Sequence, residues 1–434
     1  MVGAAMKLLG GFLAAAFGAL AFCPPAAAQI AVDGTLVGDE AVYGAARSVQ
    51  NTNTQFGNAT NGDPRIANNG SEIDQVFAAV AENRLFVLVT GNLEDNFNKL
   101  EIFIDSVPGG VNQLVGASLP PQVDPYCCPN ANPPAGALQQ MNGLRFDAGF
   151  EADRYLTFSN GVHTFGSPAI SRWTLSANLA ELDEGVTGRK SEVGFQWNPY
   201  GVEAGLAQGE PIDQLNNGCT GPADTNCLPP EHEFAEPIDT VNDPANTRGH
   251  RDFLNDVGLR MAIDNSNTAG VNAGSGAATG NPQNVLTGIE FSLPLVTLGH
   301  PLGPIKIAAF INSGPHTFVS NQFAGTGVLR SNLGDNLAGI NLAAIAGDQF
   351  VTVPYVGLAG DYNGNGAVDA ADYTVWRDGL GEFYELDDYD VWSENFGATL
   401  TDGAGSVAVP EPASCWMLLV AIAAMQVVVR HAKP

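Results

Sequence analysis

The chain has 434 residues, of which 18 are Lys or Arg and 46 are Asp or Glu, so its formal charge is −28. Charged residues make up only 15% of the chain and 45% are hydrophobic, which excludes a wholly disordered acidic protein because so much apolar surface can form a core. A surface this negative repels phosphate backbones, so we expect no nucleic-acid partner.

Residues 1–28 have the pattern of a secretory signal peptide. Lys7 precedes an apolar run from Leu8 to Phe22, and Ala26-Ala27-Ala28 offers small residues for cleavage before Gln29. A retained membrane anchor is the alternative, but the run is short for a membrane span. The sequence therefore predicts an exported protein.

From residue 29 to residue 355 we predict a mainly β domain, an antiparallel β-sandwich with loop insertions. Strand-like segments recur between Gly, Asn and Pro turns, and no long amphipathic helix interrupts them. Arg84–Thr90 contains a continuous apolar run, and Leu100–Asp105 alternates strictly between two faces. Two packed antiparallel sheets are the simplest architecture for such a pattern. The other predicted strands are Ile73–Val80, Arg154–Phe158, Glu192–Trp197, Gly258–Ile263, Gly288–Leu293, Lys306–Asn312 and Gln349–Pro354.

Two segments rich in Pro and Asn, Gly109–Gly143 and Gly205–Thr247, are predicted to be surface excursions. Each contains one pair of cysteines, which an oxidising compartment would convert to disulfides. The pairing stays open, because pairs within one excursion and crossed pairs both fit the spacing. A zinc site is an alternative, although paired C-x-x-C spacing is missing. The cysteines are Cys127, Cys128, Cys219 and Cys227.

Three predicted strands end in an Asp or Asn at a turn: Asp105, Asp264 and Asn312. The default role of such side chains is to accept backbone N–H bonds within the turn. The functional alternative places their oxygens at one edge of the sandwich, as cation ligands or as acceptors for sugar hydroxyls.

The domain resembles the family 9 carbohydrate-binding-module-like sandwiches, relatives of DOMON-type domains. The resemblance implies an extracellular polysaccharide as ligand. In sugar-binding members paired tryptophans hold the sugar ring, whereas we assign Trp173 and Trp197 to the core. The matching segments are Ile30–Leu36, Arg84–Thr90 leading into Leu100–Asp105, and Gly288–Leu295 with Leu298-Gly299.

Sequence patterns for catalysis are missing. There is no G-x-S-x-G elbow, and His232-Glu233 lacks a second histidine at the spacing that a zinc protease needs. Acidic pairs near predicted turns, Glu94 with Asp95 and Glu231 with Glu233, could act as acid and base in glycosyl hydrolysis. Solvated loop carboxylates are far commoner, so we predict a non-catalytic protein, with a hydrolase of O-glycosyl bonds as the alternative.

The loop from Asp361 to Asp372 is the most specific chemical signal in the chain. Gly366 at its sixth position permits a sharp turn, and Val368 at its eighth can pack inward. Calcium takes hard oxygen ligands from a loop of this kind. An Asx-rich turn without metal is the alternative. The predicted Ca²⁺ ligands are Asp361, Asn363, Asn365, the backbone carbonyl of Ala367, Asp369 and Asp372.

An internal repeat follows this loop. Asp372–Trp376 recurs as Asp388–Trp392, sixteen residues later, and each copy is predicted to form a short helix. The loop and the repeat together resemble a dockerin domain of type I, which implies a small α-helical EF-hand-like module at residues 356–400.

The chain departs from the dockerin pattern at two places. Dockerins have two calcium loops, but the Asp-x-Asn-x-Asn-Gly half is missing before the second helix, so one full site is expected. Dockerins select cohesins through polar residues near loop positions 10 and 11, here Ala370 and Ala371, which argues against a cohesin-like partner. Segment 361–397 has ten carboxylates and one cation, Arg377, so repulsion should loosen it without Ca²⁺.

Residues 409–434 follow a linker at 401–408 and have three parts. Pro410-Glu411-Pro412 precedes the apolar run Cys415–Val429, and a basic end runs from Arg430 to Lys433. A helix of this run reaches ~22 Å, short of the ~30 Å hydrocarbon core. The order resembles the PEP-CTERM sorting signal, which implies processing by an exosortase at the inner membrane. An ordinary tail-anchored transmembrane helix at 415–429 is the alternative.

These patterns together predict an exported cell-surface or extracellular protein, anchored to the inner membrane permanently or until its tail is processed. Its sandwich would bind polysaccharide and its module would bind Ca²⁺. Two alternatives stay open: a dockerin-bearing glycoside hydrolase in polysaccharide catabolism, and a structural envelope protein without a ligand.

Overall fold

The computed structural model describes residues 30–56, 70–94, 96–119, 123–124, 136–165, 170–182, 193–200, 258–267, 269–327, 331–381 and 384–400, with the backbone alone at 162–165, 170–174, 176 and 193–200. Several predicted features lie outside the described residues. They are the signal peptide, Asp95, the four cysteines predicted to form disulfides, Gly205–Thr247 with Glu231 and Glu233, the linker and the sorting signal.

The described chain forms two antiparallel β-sheets. The strands are β1 Ser48–Val49, β2 Glu72–Ala81, β3 Arg84–Asn92, β4 Asn96–Asp105, β5 Arg154–Phe165, β6 Ile170–Glu181, β7 Val193–Tyr200, β8 Arg260–Ile263, β9 Gly288–Pro294, β10 Ile305–Asn312, β11 Val319–Phe323 and β12 Val351–Val353. One sheet has the strand order β1-β2-β3-β9-β8, and the other has β11-β10-β4-β5-β6-β7 with β12 also paired to β10. The predicted mainly β fold with two antiparallel sheets is therefore confirmed.

Helices are few and short within the described ranges, as expected for a chain rich in Gly and Pro. The α-helices are Glu40–Tyr43, Ala137–Gln140, Ala370–Asp378 and Leu386–Asn395, and the 3₁₀ turns are Gly116–Ser118, Pro282–Asn284, Leu337–Gly339 and Leu342–Ala344.

Side chains from both sheets meet in one hydrophobic core between them. The alternation in β4 is confirmed, because Leu100, Ile102 and Ile104 enter this core while Phe103 lies on the opposite face. The continuous apolar run of β3 arises because both of its faces are buried: Leu85, Val87 and Val89 pack between the sheets, and Phe86 and Leu88 pack outside them. Burying each such side chain stabilises the fold by ~1.5–3 kcal/mol.

The outer face of the second sheet carries another hydrophobic core, which corrects the prediction for Gly109–Gly143. Its described part is not a loose surface excursion, because Leu114, Leu138 and Met141 are fully buried against Phe103 of β4. A sheet whose two faces are both apolar needs cover on both sides. The insertion supplies that cover.

The outer face of the first sheet is covered by the N-terminal segment, which Glu290 of β9 holds in place. Glu290 Oε1 accepts the hydroxyl of Tyr43 at 2.6 Å, and Oε2 accepts the backbone N–H groups of Asp33 and Gly34 at 2.8 and 2.9 Å. Burial is the main reason that the pKa of Glu290 rises to about 7.

Candidate metal centre

The two copies of the repeat occupy the same position at the start of each helix in the C-terminal module, residues 356–400. Asp372 and Asp388 are each the third helical residue, and each accepts the backbone N–H of its N-cap residue at 2.7 Å. Both helices therefore begin with a capping box. This shared local chemistry explains why each copy of the repeat begins with an aspartate.

The tryptophans of the repeat join the two helices reciprocally. Trp376 Nε1 donates to the carbonyl of Glu385, the N-cap of the second helix, at 2.9 Å. Trp392 Nε1 donates to the carbonyl of Asp369, the N-cap of the first helix, at 2.8 Å. Asp369 is also a predicted ligand, so the helix pair fixes one end of the loop.

The first half of the predicted calcium loop folds around its own acidic side chain. Asp361 accepts the backbone N–H of Asn365 at 3.0 Å through Oδ1 and that of Gly366 at 2.7 Å through Oδ2. Asn363 Oδ1 accepts the same Asn365 N–H at 2.9 Å, and Asn365 Oδ1 accepts the N–H of Ala367 at 2.8 Å. The side-chain oxygens at positions 1, 3 and 5 are thus all turned towards the loop backbone.

Asp372 closes the loop. Its side chain is fully buried, and Oδ1 accepts the N–H of Asn363 at 3.0 Å while Oδ2 accepts that of Asp369 at 2.7 Å. One carboxylate therefore bridges loop positions 3 and 9. Gly364 and Gly366 have φ angles of 70° and 83°, which glycine adopts without the strain that other residues would bear.

The loop offers the type of ligand atom that calcium prefers, because carboxylate, amide and carbonyl oxygens are all hard ligands. The carbonyl oxygen of Ala367 accepts no backbone hydrogen bond from the described residues. Where the structure describes the chain, however, no three His, Cys, Asp or Glu side chains stand close enough together to hold a metal. Asp361, Asp369 and Asp372 would have to converge on an ion, with amides and the carbonyl completing its coordination.

The strand-end residues do not form a common edge, so the alternative cation or sugar site there is wrong. β4 and β10 run antiparallel, with Asp105 opposite Lys306 and Asn312 opposite Lys99, which places Asp105 and Asn312 at opposite ends of the sheet. The turn role is confirmed for two of the three residues, since Asp264 accepts the N–H of Ser266 at 2.9 Å and Asn312 accepts those of Ser313 and Phe318 at 2.8 and 3.0 Å. Asp105 differs, because it accepts the backbone N–H of the distant Glu151 at 3.1 Å and pairs with Lys306 at 2.9 Å.

Glu94, the predicted acid–base residue that lies within the described chain, is buried. Glu94 is fully buried and accepts hydrogen bonds from Ser71 at 3.1 Å and from Asn96 and Asn98 at 3.2 Å. Its carboxylate therefore organises the start of β4 rather than facing a groove. The tryptophan positions are also separated: the register pairs Trp173 with Tyr200 and Trp197 with Ser176.

A buried charged network lies on the outer face of the second sheet, and the sequence reasoning missed it. Glu101 of β4 contacts His316 Nδ1 at 2.7 Å and accepts the hydroxyl of Tyr155 at 2.6 Å. His316 Nε2 lies 3.2 Å from Asp124 Oδ2, which also pairs with Lys99 at 2.8 Å. The sequence held one sign of this network, a glutamate at position 101 within the alternating pattern of β4. Its partner His316 could not be recognised, because it is 215 residues away.

Comparison of the chain with known protein families, with curated proteins and with solved structures gave no match. No helix in the described part of the chain is long and apolar enough to cross a membrane.

Proposed function

We propose that the chain is an exported, non-catalytic protein in which a dockerin-like module binds Ca²⁺ beside a β-sandwich that binds extracellular polysaccharide. The observation that carries this proposal is the closed loop at 361–372, whose side-chain oxygens occur in the order that calcium needs. The β-sandwich supports the second half, since its two antiparallel sheets agree with the resemblance to carbohydrate-binding modules.

Calcium would supply the positive charge that this acidic module lacks. Asp361, Asp369 and Asp372 place three carboxylates on one short loop, and Arg377, the cation in the module, is paired with Asp378 at 2.6 Å instead. Asp372 is one methylene shorter than glutamate, so it reaches an ion only if the loop stays tight. Its two backbone hydrogen bonds keep the loop tight, which suits a static structural site.

Titration of the full chain with Ca²⁺ in a calorimeter should show about one bound ion per molecule. Asp361→Ala should abolish the heat of binding, because it removes the first ligand and the acceptor for two loop N–H groups. Asp390→Ala is the matched control, since it removes an exposed carboxylate of the module outside the loop. Equal titration curves for wild type and Asp361→Ala would refute the calcium site.

Binding of the full chain to a panel of insoluble plant and algal polysaccharides tests the sandwich. We expect retention on at least one of them that persists in the Asp361→Ala variant, because the sandwich and not the metal would make the contact. Retention on none would favour a structural envelope protein. Release of reducing sugars from any of them would favour the hydrolase.

A further inference from the structure

The turn between β2 and β3 is a two-residue hairpin loop of an unusual composition. Ala81 pairs with Arg84, and the residues between them, Glu82 and Asn83, have φ angles of 52° and 58°. Positive φ at both positions defines a type I′ turn, in which glycine is strongly favoured at the second position. Asn83 occupies the glycine position and brings a side-chain amide to the tip of the sandwich.

This amide contacts the predicted calcium loop. Asn83 Nδ2 donates to the carbonyl of Tyr362 at 3.2 Å. A Cβ atom on Gly364 would lie 2.6 Å from Asn83 Oδ1, so a glycine is needed there for the loop to approach the turn so closely. The carbonyl of Asn83 in turn accepts the N–H of Leu295 at 2.9 Å, which ties the turn to the 295–302 loop.

Tyr362 is a second contact between the loop and the sandwich, and it also joins the loop to the rest of the module. Its side chain is 4% exposed, and its ring packs 5.3 Å from that of His300 and 4.7 Å from that of Tyr384. Its hydroxyl donates to the carbonyl of Asp388 at 2.6 Å.

Ligand positions and anchoring positions alternate along the loop. Asp361, Asn363 and Asn365 carry the oxygens that would face an ion, whereas Tyr362 and Gly364 between them contact the sandwich. Because these residues are consecutive, the sandwich restrains the backbone of the same segment whose side chains would coordinate the cation.

We infer that Asn83 is a positioning residue for the cation loop and that cation binding and docking of the module on the sandwich are linked. The inference rests on the proposed calcium site. Docking restrains the loop before the ion arrives, which reduces the ordering cost of binding. By reciprocity, the ion must strengthen docking by the same factor.

Calcium titration of the full-length Asn83→Gly variant tests the link. Glycine keeps the type I′ turn and removes only the amide. We expect the dissociation constant for Ca²⁺ to rise about fivefold, which corresponds to the ~1 kcal/mol of one hydrogen bond. Glu82→Gly is the matched control, because it changes the neighbouring left-handed residue of the same turn and leaves the amide in place. Its dissociation constant should equal that of the wild type.

Hydrogen exchange supplies a second measurement that needs no Asn83 variant. Calcium should slow amide exchange in residues 295–302 of the wild type and leave it unchanged in Asp361→Ala. The inference is wrong, and the calcium site stands, if the wild type binds Ca²⁺ while Asn83→Gly keeps the wild-type dissociation constant and calcium leaves amide exchange at residues 295–302 unchanged. If the wild type binds no Ca²⁺, the calcium site is wrong and the inference falls with it.

Discussion

Replacing Glu101 with glutamine is expected to lower the free energy of unfolding by about 3–5 kcal/mol, the usual cost of breaking a buried ion pair. Glu101 is fully buried and contacts both His316 and Tyr155. The substitution removes the negative charge but keeps the size of the side chain, so His316 loses one of the two carboxylates beside it. Urea unfolding of the full chain at pH 6 measures the change.

Glu151→Gln is the matched control for this variant, because it removes the same charge at an exposed position near the same sheet. Its stability should lie within about 0.5 kcal/mol of the wild type. A similarly small change for Glu101→Gln would mean that the network contributes no more than a surface ion pair.

The same network should make stability depend on pH through His316. Burial opposes the charge on His316, but Glu101 and then Asp124 outweigh it and raise the pKa of His316 from 6.5 to about 9. A raised pKa in the folded state contributes stability that is complete below pH 6.5 and lost as the pH rises through 9. We therefore expect the wild type to lose about 3 kcal/mol more than His316→Gln between pH 6 and pH 9.5.

Protonation of Asp124 should lower the stability of the folded protein at acid pH, the opposite pH dependence to that of His316. Burial opposes its charge, but Lys99 and then His316 lower the pKa of Asp124 below 3.8. A lowered pKa in the folded state contributes stability above pH 3.8 that is lost as the pH falls further.

If wild type and His316→Gln had parallel stability profiles above pH 6.5, His316 would not be charged in the folded protein.

Phe103→Ala is expected to cost about 3–5 kcal/mol, the range for removing a fully buried aromatic side chain. The ring of Phe103 lies 4.7 Å from that of Phe146, 4.9 Å from that of Tyr155 and 6.0 Å from that of Phe310. Phe146 belongs to the chain that covers the outer face of the second sheet. The variant therefore tests whether that face carries a real core.

Val115→Ala is the control for this core. Val115 lies in the insertion Gly109–Gly143 that covers this face of the sheet, but its side chain is 50% exposed. Denaturant unfolding should show a change of about 0.5 kcal/mol or less for Val115→Ala. A comparably small loss for Phe103→Ala would mean that the insertion does not pack on the sheet in solution.

The elements that the sequence predicted are those whose signal is local. All nine predicted strand segments overlap strands, because apolar alternation and apolar runs reflect burial on one or two faces of the same segment. β11 was missed because its sequence, VSNQF, is polar in the middle. Asn321 and Gln322 are nevertheless buried, and both donate to the carbonyl of Asn53 at 2.7 and 3.4 Å. A partner so distant in the chain leaves no pattern in the strand itself.

The candidate site divides in the same way. The order of oxygens from Asp361 to Asp372 and the helix repeat could be recognised in the sequence, because capping and chelation use residues within one loop. Only the tertiary structure placed Asn83 against Tyr362, 279 residues away, and His316 against Glu101. It also separated Asp105 from Asn312, because antiparallel pairing puts the C-terminal ends of neighbouring strands at opposite ends of the sheet. Local chemistry therefore determined which residues could bind a cation, and long-range packing of the chain decided which distant residues lie beside them.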